Sequence, residues 1–127
     1  MNLLVDTNRY RDYVGGDKQV LEQLRRCECV AICFITLAEL RSGFLLGSQS
    51  RENERNLTGF LQKPQVDVVF ADETTPHHYA RLVFQLRRQG TPISTNDIWI
   101  AASAIQYDLT LYSRDVHFNH VPQIPRV

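Results

Sequence analysis

Four acidic residues stand at positions where a parallel α/β sheet would bring them together. Asp6 and Asp115 each follow a short apolar run, while Glu39 and Asp97 each open a helical pattern. In an open α/β sheet, the C-terminal ends of the strands and the adjoining helix starts share one crevice, where ligands bind. Four carboxylates there repel one another unless a cation lies between them, and Mg²⁺ prefers oxygen ligands of this kind. The pattern therefore indicates a metal-dependent enzyme that cleaves phosphodiesters.

Each acid also has a purely structural explanation. Glu39 and Asp97 occupy the third helical position of capping-box patterns, where a carboxylate satisfies a free backbone N–H and complements the helix dipole. Asp6 and Asp115 are placed to cap the turns that follow strands. The conjunction of all four at one end of one sheet favours a site. We also expect the helix N-termini to keep Glu39 and Asp97 ionised at neutral pH, as metal ligands must be.

The elements that position these acids alternate along the chain. Apolar runs predict strands at about 3–5, 30–35, 66–70 and 109–112, with a last extended piece near Ile124. Helical periodicity predicts helices at about 8–25 with an interruption at 15–17, and at about 36–46, 51–62, 76–89 and 94–107. Two capping-box patterns start helices at Thr36 and Ser94. This alternation predicts βαβ units and a mostly parallel sheet flanked by helices.

Composition limits the class of protein. A chain of 127 residues, 43% apolar, is typical of one globular domain that buries a core without disulfides. The formal net charge is zero, so bulk charge does not indicate a nucleic-acid binder. No apolar run is long enough to span a bilayer and no basic leader precedes one, so we expect a cytoplasmic protein without a membrane partner.

Four short motifs extend this reading over nearly the whole chain. They are Val5-Asp6-Thr7-Asn8, Thr36-x-x-Glu39, Asn96-Asp97-x-x-Ile100-Ala101-Ala102 and Ser113-Arg114-Asp115-x-x-Phe118. In order and spacing they resemble the PIN domain, and especially the VapC-like toxins of bacterial and archaeal toxin–antitoxin pairs. The resemblance implies a PIN-like α/β/α sandwich, with residues 1–127 as a single domain.

The resemblance also implies an activity, a cofactor and partners. It implies an endoribonuclease that uses Mg²⁺ or Mn²⁺ and acts on structured RNA such as transfer or ribosomal RNA. It implies a homodimer and a small antitoxin whose C-terminal segment blocks the pocket. The catalytic positions of the family fall on four acids: Asp6, Glu39, Asp97 and Asp115. Of these, Asp6, Asp97 and Asp115 are the expected metal ligands, Glu39 is a ligand or a base, and Asn8 and Ser113 support them.

His117 departs from the family pattern, because many members carry an acid at this position. It is either a substitute ligand, an RNA contact or a structural residue. Basic residues next to the acidic motifs are candidate RNA contacts: Arg9, Arg11, Arg41 and Arg114, with His117 beside them. The departure motivates an alternative function, a non-catalytic PIN-like module that binds RNA or protein. A phosphotransfer protein is a third reading, but the lysine that a receiver domain carries late in its sequence is missing.

Overall fold

Four parallel strands form the centre of the computed structural model, which describes residues 1–127. They are β1 (Asn2–Val5), β2 (Cys29–Cys33), β3 (Val66–Val69) and β4 (Thr110–Tyr112). Their order in the sheet is β3-β2-β1-β4, so β1 lies between β2 and β4. Because all neighbours are parallel, the C-terminal ends of the strands lie at one edge of the sheet. The predicted parallel sheet is confirmed.

Helices cover both faces of the sheet. They are α1 (Thr7–Val14), α2 (Lys18–Arg25), α3 (Phe34–Leu46), α4 (Ser50–Leu61), α5 (Thr75–Gln89) and α6 (Thr95–Gln106), followed by a 3₁₀ helix (Val116–His120). Leu4 packs in a core with residues of α5 and α6, whereas Leu3 and Val5 pack in a second core with residues of α1 to α4. Successive side chains of a strand point to opposite faces, so one strand supplies both cores. The α/β/α architecture is confirmed.

The start of α3 differs from the prediction. Strand β2 ends at Cys33 and α3 begins at Phe34 without a loop, and Cys33 makes no side-chain capping bond. Thr36 is therefore inside the helix, where it is fully buried and its hydroxyl has no hydrogen-bond partner. The predicted capping box from Thr36 to Glu39 is wrong. Because the helix starts two residues earlier than predicted, Glu39 lies in its second turn.

Other boundaries agree with the prediction more closely. The break at residues 15–17 is confirmed, with Gly16 at a φ of 83° and Asp17 capping α2. At the C-terminus, Ile124 lies in a turn and is buried, and it is Arg126 that forms a single parallel bridge to Leu111. The predicted extended piece is therefore displaced by about two residues. None of the helices combines the length and the apolar character that crossing a membrane requires.

Candidate active site

Asp6 is the most enclosed of the four acids. It follows β1 as the N-cap residue of α1 and is only 5% exposed. Its Oδ1 accepts a hydrogen bond from the backbone N–H of Thr7 at 2.9 Å, and its Oδ2 accepts one from the Ser113 hydroxyl at 2.7 Å. Both oxygens are therefore held in place, and hydrogen bonds to a carboxylate are of the strong, charge-assisted kind.

Ser113 joins the end of β4 to the start of α1. While its hydroxyl donates to Asp6, the same oxygen lies 3.2 Å from the Asn8 side-chain amide and 3.1 Å from the backbone N–H of Asp115. The Asn8 carbonyl oxygen in turn accepts from the backbone N–H of Arg114 at 3.1 Å. The two predicted supporting residues, Asn8 and Ser113, thus connect segments that are about a hundred positions apart in the chain.

Asp97 and Asp115 meet at the open side of the crevice, together with His117. Their ligand atoms lie within 4.8 Å of one another. The Nδ1 atom of His117 is 3.1 Å from Asp115 Oδ1 and 3.9 Å from Asp97 Oδ2. The side chains of Asp97 and Asp115 are 15% and 30% exposed, whereas that of His117 is 61% exposed. Asp6 does not belong to this close group, in which His117 is the third member.

Glu39 approaches the site from α3. Its Oε1 accepts a hydrogen bond from the Thr7 hydroxyl at 3.3 Å. Burial raises the pKa of Glu39, the charge of Asp6 and, to a lesser degree, that of Asp97 raise it further, and the polar side chains of Asn96 and Thr7 oppose the shift. Because Asp6 and Asp97 both act on this carboxyl group, Glu39 belongs to the same acidic crevice.

The pKa of Asp97 is raised as well. Burial is the largest cause, and the negative charges of Asp115 and Asp6 add to it, while the bond with Ser94 and the neighbouring His117 oppose it. Neither pKa is therefore held below its ordinary value by a helix N-terminus, and the ionisation of both groups at neutral pH stays a prediction. Desolvation, with like charges added to it, raises the pKa at both positions.

The donor set of this crevice fits a divalent cation. It consists of four carboxylates, which bind Mg²⁺ and Mn²⁺ in proteins, and one imidazole, which is a ligand of transition-metal ions. Burial is the main cause of the raised pKa values of Glu39 and Asp97, but like charges add to both, and a cation would relieve this repulsion.

Two of the candidate RNA-binding arginines lie beside this crevice and share one acid. Arg114 makes a bidentate ion pair with Asp12, in which Nε and Nη2 donate to the two carboxylate oxygens at 2.9 and 2.8 Å. This pairing lowers the pKa of Asp12. Arg9 lies 3.4 Å from Asp12 and stacks over the Tyr112 ring at 4.6 Å. Asp12 was not among the predicted site residues, although its spacing of three from Arg9 is that of a helical ion pair.

The other two arginines differ in their surroundings. Arg41 is paired with Glu54 of α4, at 2.9 and 3.3 Å, so its charge is already compensated. Arg11 is exposed on α1 and makes no ion pair. Among the four arginines, Arg11 therefore keeps its charge most available to a ligand.

The fold and the site define a family. The sequence model of the PIN domain family matches residues 3–124, and the chain belongs to this family. Ribonuclease VapC1 of Haemophilus influenzae (strain R2866) is 33% identical over 115 residues, which cover 91% of this chain and 83% of the relative. Ribonuclease VapC2 of Rickettsia felis is 30% identical over 105 residues, or 82% and 77% of the two chains. Within the PIN family, the chain is grouped with the VapC ribonucleases.

Solved structures of the same fold match the chain. The crystal structure of VapBC2 from Rickettsia felis, bound to a DNA fragment from the VapBC2 promoter, contains a chain that matches with a TM-score of 0.91. The match covers 100% of this protein and 98% of the matched chain. At 23% identity this likeness concerns the fold alone. FitAcB from Neisseria gonorrhoeae matches with a TM-score of 0.79 and 27% identity, over 98% and 95% of the two chains.

Proposed function

We propose that the protein is a metal-dependent endoribonuclease, the toxin of a toxin–antitoxin pair, with residues 1–127 acting as a single PIN-like domain. The observation that carries the proposal is the convergence of Asp6, Glu39, Asp97 and Asp115 in one crevice at the C-terminal edge of the sheet. Relatives named as VapC ribonucleases support the substrate class.

The cation would be Mg²⁺ or Mn²⁺, held by Asp97 and Asp115 with Asp6 beside them. When bound, such an ion supplies Lewis-acid chemistry: it neutralises the carboxylates, polarises the phosphodiester and makes water more acidic. Ser113 and the backbone N–H of Thr7 fix the orientation of Asp6. Without these bonds, the excess charge would push the carboxylates apart.

In this proposal Glu39 is the general base. A carboxylate with a raised pKa accepts a proton more readily than an ordinary one, which brings it closer to the pKa that suits a base at neutral pH. In the proposed reaction, Glu39 takes a proton from water as the water oxygen bonds to phosphorus. The bond from phosphorus to the leaving oxygen breaks, and that oxygen takes a proton from a solvent water. Protonated Glu39 then returns its proton to solvent, so the products are a phosphate monoester and an alcohol.

The test is RNA cleavage with a matched pair of substitutions. Purified protein is incubated with transfer and ribosomal RNA in Mg²⁺ or Mn²⁺, and wild type is compared with Asp6→Asn and Asp108→Asn. Asp108 is an exposed aspartate before β4, with a φ of 53° that asparagine tolerates well. We expect Asp6→Asn to lose about 100-fold of the activity or more, and Asp108→Asn to keep it.

Two outcomes would contradict the proposal. Equal cleavage by wild type and Asp6→Asn would place the chemistry outside this crevice. Metal-independent RNA binding without products on any RNA tested would instead support the alternative, a non-catalytic module.

The proposed RNA contacts are Arg9, Arg114 and His117 beside the crevice, with Arg11 and Arg41 farther along the same surface motifs. Since Arg41 and Arg114 are paired with acids, Arg11 should contribute most to phosphate binding. Loss of one phosphate contact lowers the salt dependence of binding by about one unit of slope. Arg11→Ala should therefore lower the slope more than Arg41→Ala does in a filter-binding series.

The proposed partners are a cognate antitoxin and a second copy of the chain, in the cytoplasm. Leu45 and Leu46, at the end of α3, are 80% and 90% exposed, and we propose that these two adjacent apolar side chains form part of an interface. Among the solved relatives is a toxin–antitoxin complex from Klebsiella pneumoniae. Light scattering of the purified chain tests the homodimer, and a monomer at micromolar concentration would count against it.

A further inference from the structure

His117 is held against the two acids at the mouth of the crevice by a fixed turn. Asp115 Oδ1 accepts the backbone N–H of His117 at 2.9 Å and so starts the 3₁₀ helix. Phe118, the next residue, is buried in the core. Arg126 donates to the carbonyl oxygens of Ser113 and Asp115, at 2.9 and 3.1 Å, and ties the C-terminus to this turn. The backbone that carries the imidazole is therefore constrained on both sides.

The ring is oriented so that one nitrogen faces both carboxylates. Nδ1 lies 3.1 Å from Asp115 and 3.9 Å from Asp97, and the side chain is 61% exposed. The three ligand atoms, within 4.8 Å of one another, form a compact set of two oxygens and one nitrogen.

We infer that His117 is a ligand of the active-site cation through Nδ1, and that this nitrogen makes the site prefer Mn²⁺ to Mg²⁺. The inference rests on the proposed function and specifies its metal. Mg²⁺ is bound almost entirely by oxygen, whereas imidazole is a good ligand for transition-metal ions. Ligation through Nδ1 requires the neutral ring with its proton on Nε2, and the exposure of the side chain lets solvent accept the Nε2–H.

The test measures metal binding directly, without RNA. Metal-free wild type, His117→Asp and His117→Asn are titrated with Mn²⁺ and Mg²⁺ by calorimetry. The bound Mn²⁺ is then examined by electron spin-echo spectroscopy for coupling to ¹⁴N. His120→Asn is the matched control, because this residue ends the same 3₁₀ helix but is not among the grouped ligands.

We expect ¹⁴N coupling in wild type and in His120→Asn, and none in the two His117 variants. The ratio of Mn²⁺ to Mg²⁺ affinity should fall about tenfold in His117→Asp, which replaces the nitrogen by an oxygen ligand. A merely structural role for His117 would move neither the coupling nor this ratio.

Two negative results separate this inference from the proposed function. If wild type binds Mn²⁺ without ¹⁴N coupling and with the same ratio as His117→Asp, His117 is not a ligand, while the metal-dependent function stands. If wild type binds neither ion, both the inference and the proposed metal dependence are wrong.

Discussion

Replacement of Asp97 by asparagine should stabilise the metal-free protein. The ligand oxygens of Asp97 and Asp115 lie within 4.8 Å of each other. At that separation two negative charges repel by about 0.9 kcal/mol in water and by about 3.5 kcal/mol at an effective dielectric constant of 20. The lost interaction with the helix dipole costs about 0.3–1 kcal/mol in return. The expected net gain is about 1–2 kcal/mol, or a rise of about 4–8 °C in Tm for a domain of this size.

The assay is thermal unfolding of wild type and Asp97→Asn in EDTA, with Asp108→Asn as the control. Asp108 is exposed and away from the crevice, so its replacement should change Tm little. In saturating Mn²⁺ wild type should instead have the higher Tm. An ion at 100 times its Kd stabilises the folded state by about 2.7 kcal/mol, and Asp97→Asn should gain less because it binds the ion less tightly. If Asp97→Asn is no more stable than wild type in EDTA, the carboxylates do not repel as reasoned here.

Two other perturbations test the same electrostatics. A carboxyl group whose pKa is raised in the folded state binds its proton more tightly when folded. The free energy of unfolding therefore falls as pH rises from the unfolded pKa of about 4 through the raised folded-state pKa. Chemical denaturation in EDTA should show this fall for wild type and a weaker fall for the double variant Glu39→Gln, Asp97→Asn. Ser113→Ala should cost about 2 kcal/mol in the same assay, because it removes a hydrogen bond to the buried Asp6 carboxylate. Ser103 is equally buried, but its hydroxyl donates to a backbone carbonyl, so Ser103→Ala should lower the free energy of unfolding by less. Equal losses for the two variants would show that the bond to Asp6 is no stronger than an ordinary one.

The fold could be predicted from periodicity because β1 and β2 are buried on both faces and read as continuous apolar runs. The edge strand β3 is interrupted by the exposed Asp67, but its valines still marked it, and all four strands were found within a few residues. The order of the strands was not predicted, since pairing depends on which helices cover each face. The placement of β1 between β2 and β4 nevertheless decides the site, because it puts Asp6 beside Ser113 and the turn that carries Asp115.

The same capping-box pattern marks a helix start at Ser94 but not at Thr36. Ser94 caps α6 and its hydroxyl accepts from the backbone N–H of Asp97 at 3.2 Å, as the capping-box pattern predicts. Thr36 and Glu39 have the same spacing, but α3 has already begun at Phe34. The pattern cannot reveal that a strand continues directly into a helix. Because α3 begins directly after β2, Glu39 lies in the second turn of this helix and accepts a hydrogen bond from Thr7. There the charges of Asp6 and Asp97 help to raise its pKa.

The structural and the chemical explanations of the acids are not alternatives in this protein. Asp6 caps α1 and Asp115 caps the 3₁₀ helix, each through Oδ1 and a backbone N–H at 2.9 Å. Those bonds hold one oxygen of each carboxylate to the start of a helix, so the acids cannot move apart without disrupting that helix start. Capping thus fixes charges that would otherwise separate, and the repulsion they retain is the free energy that a bound cation can relieve.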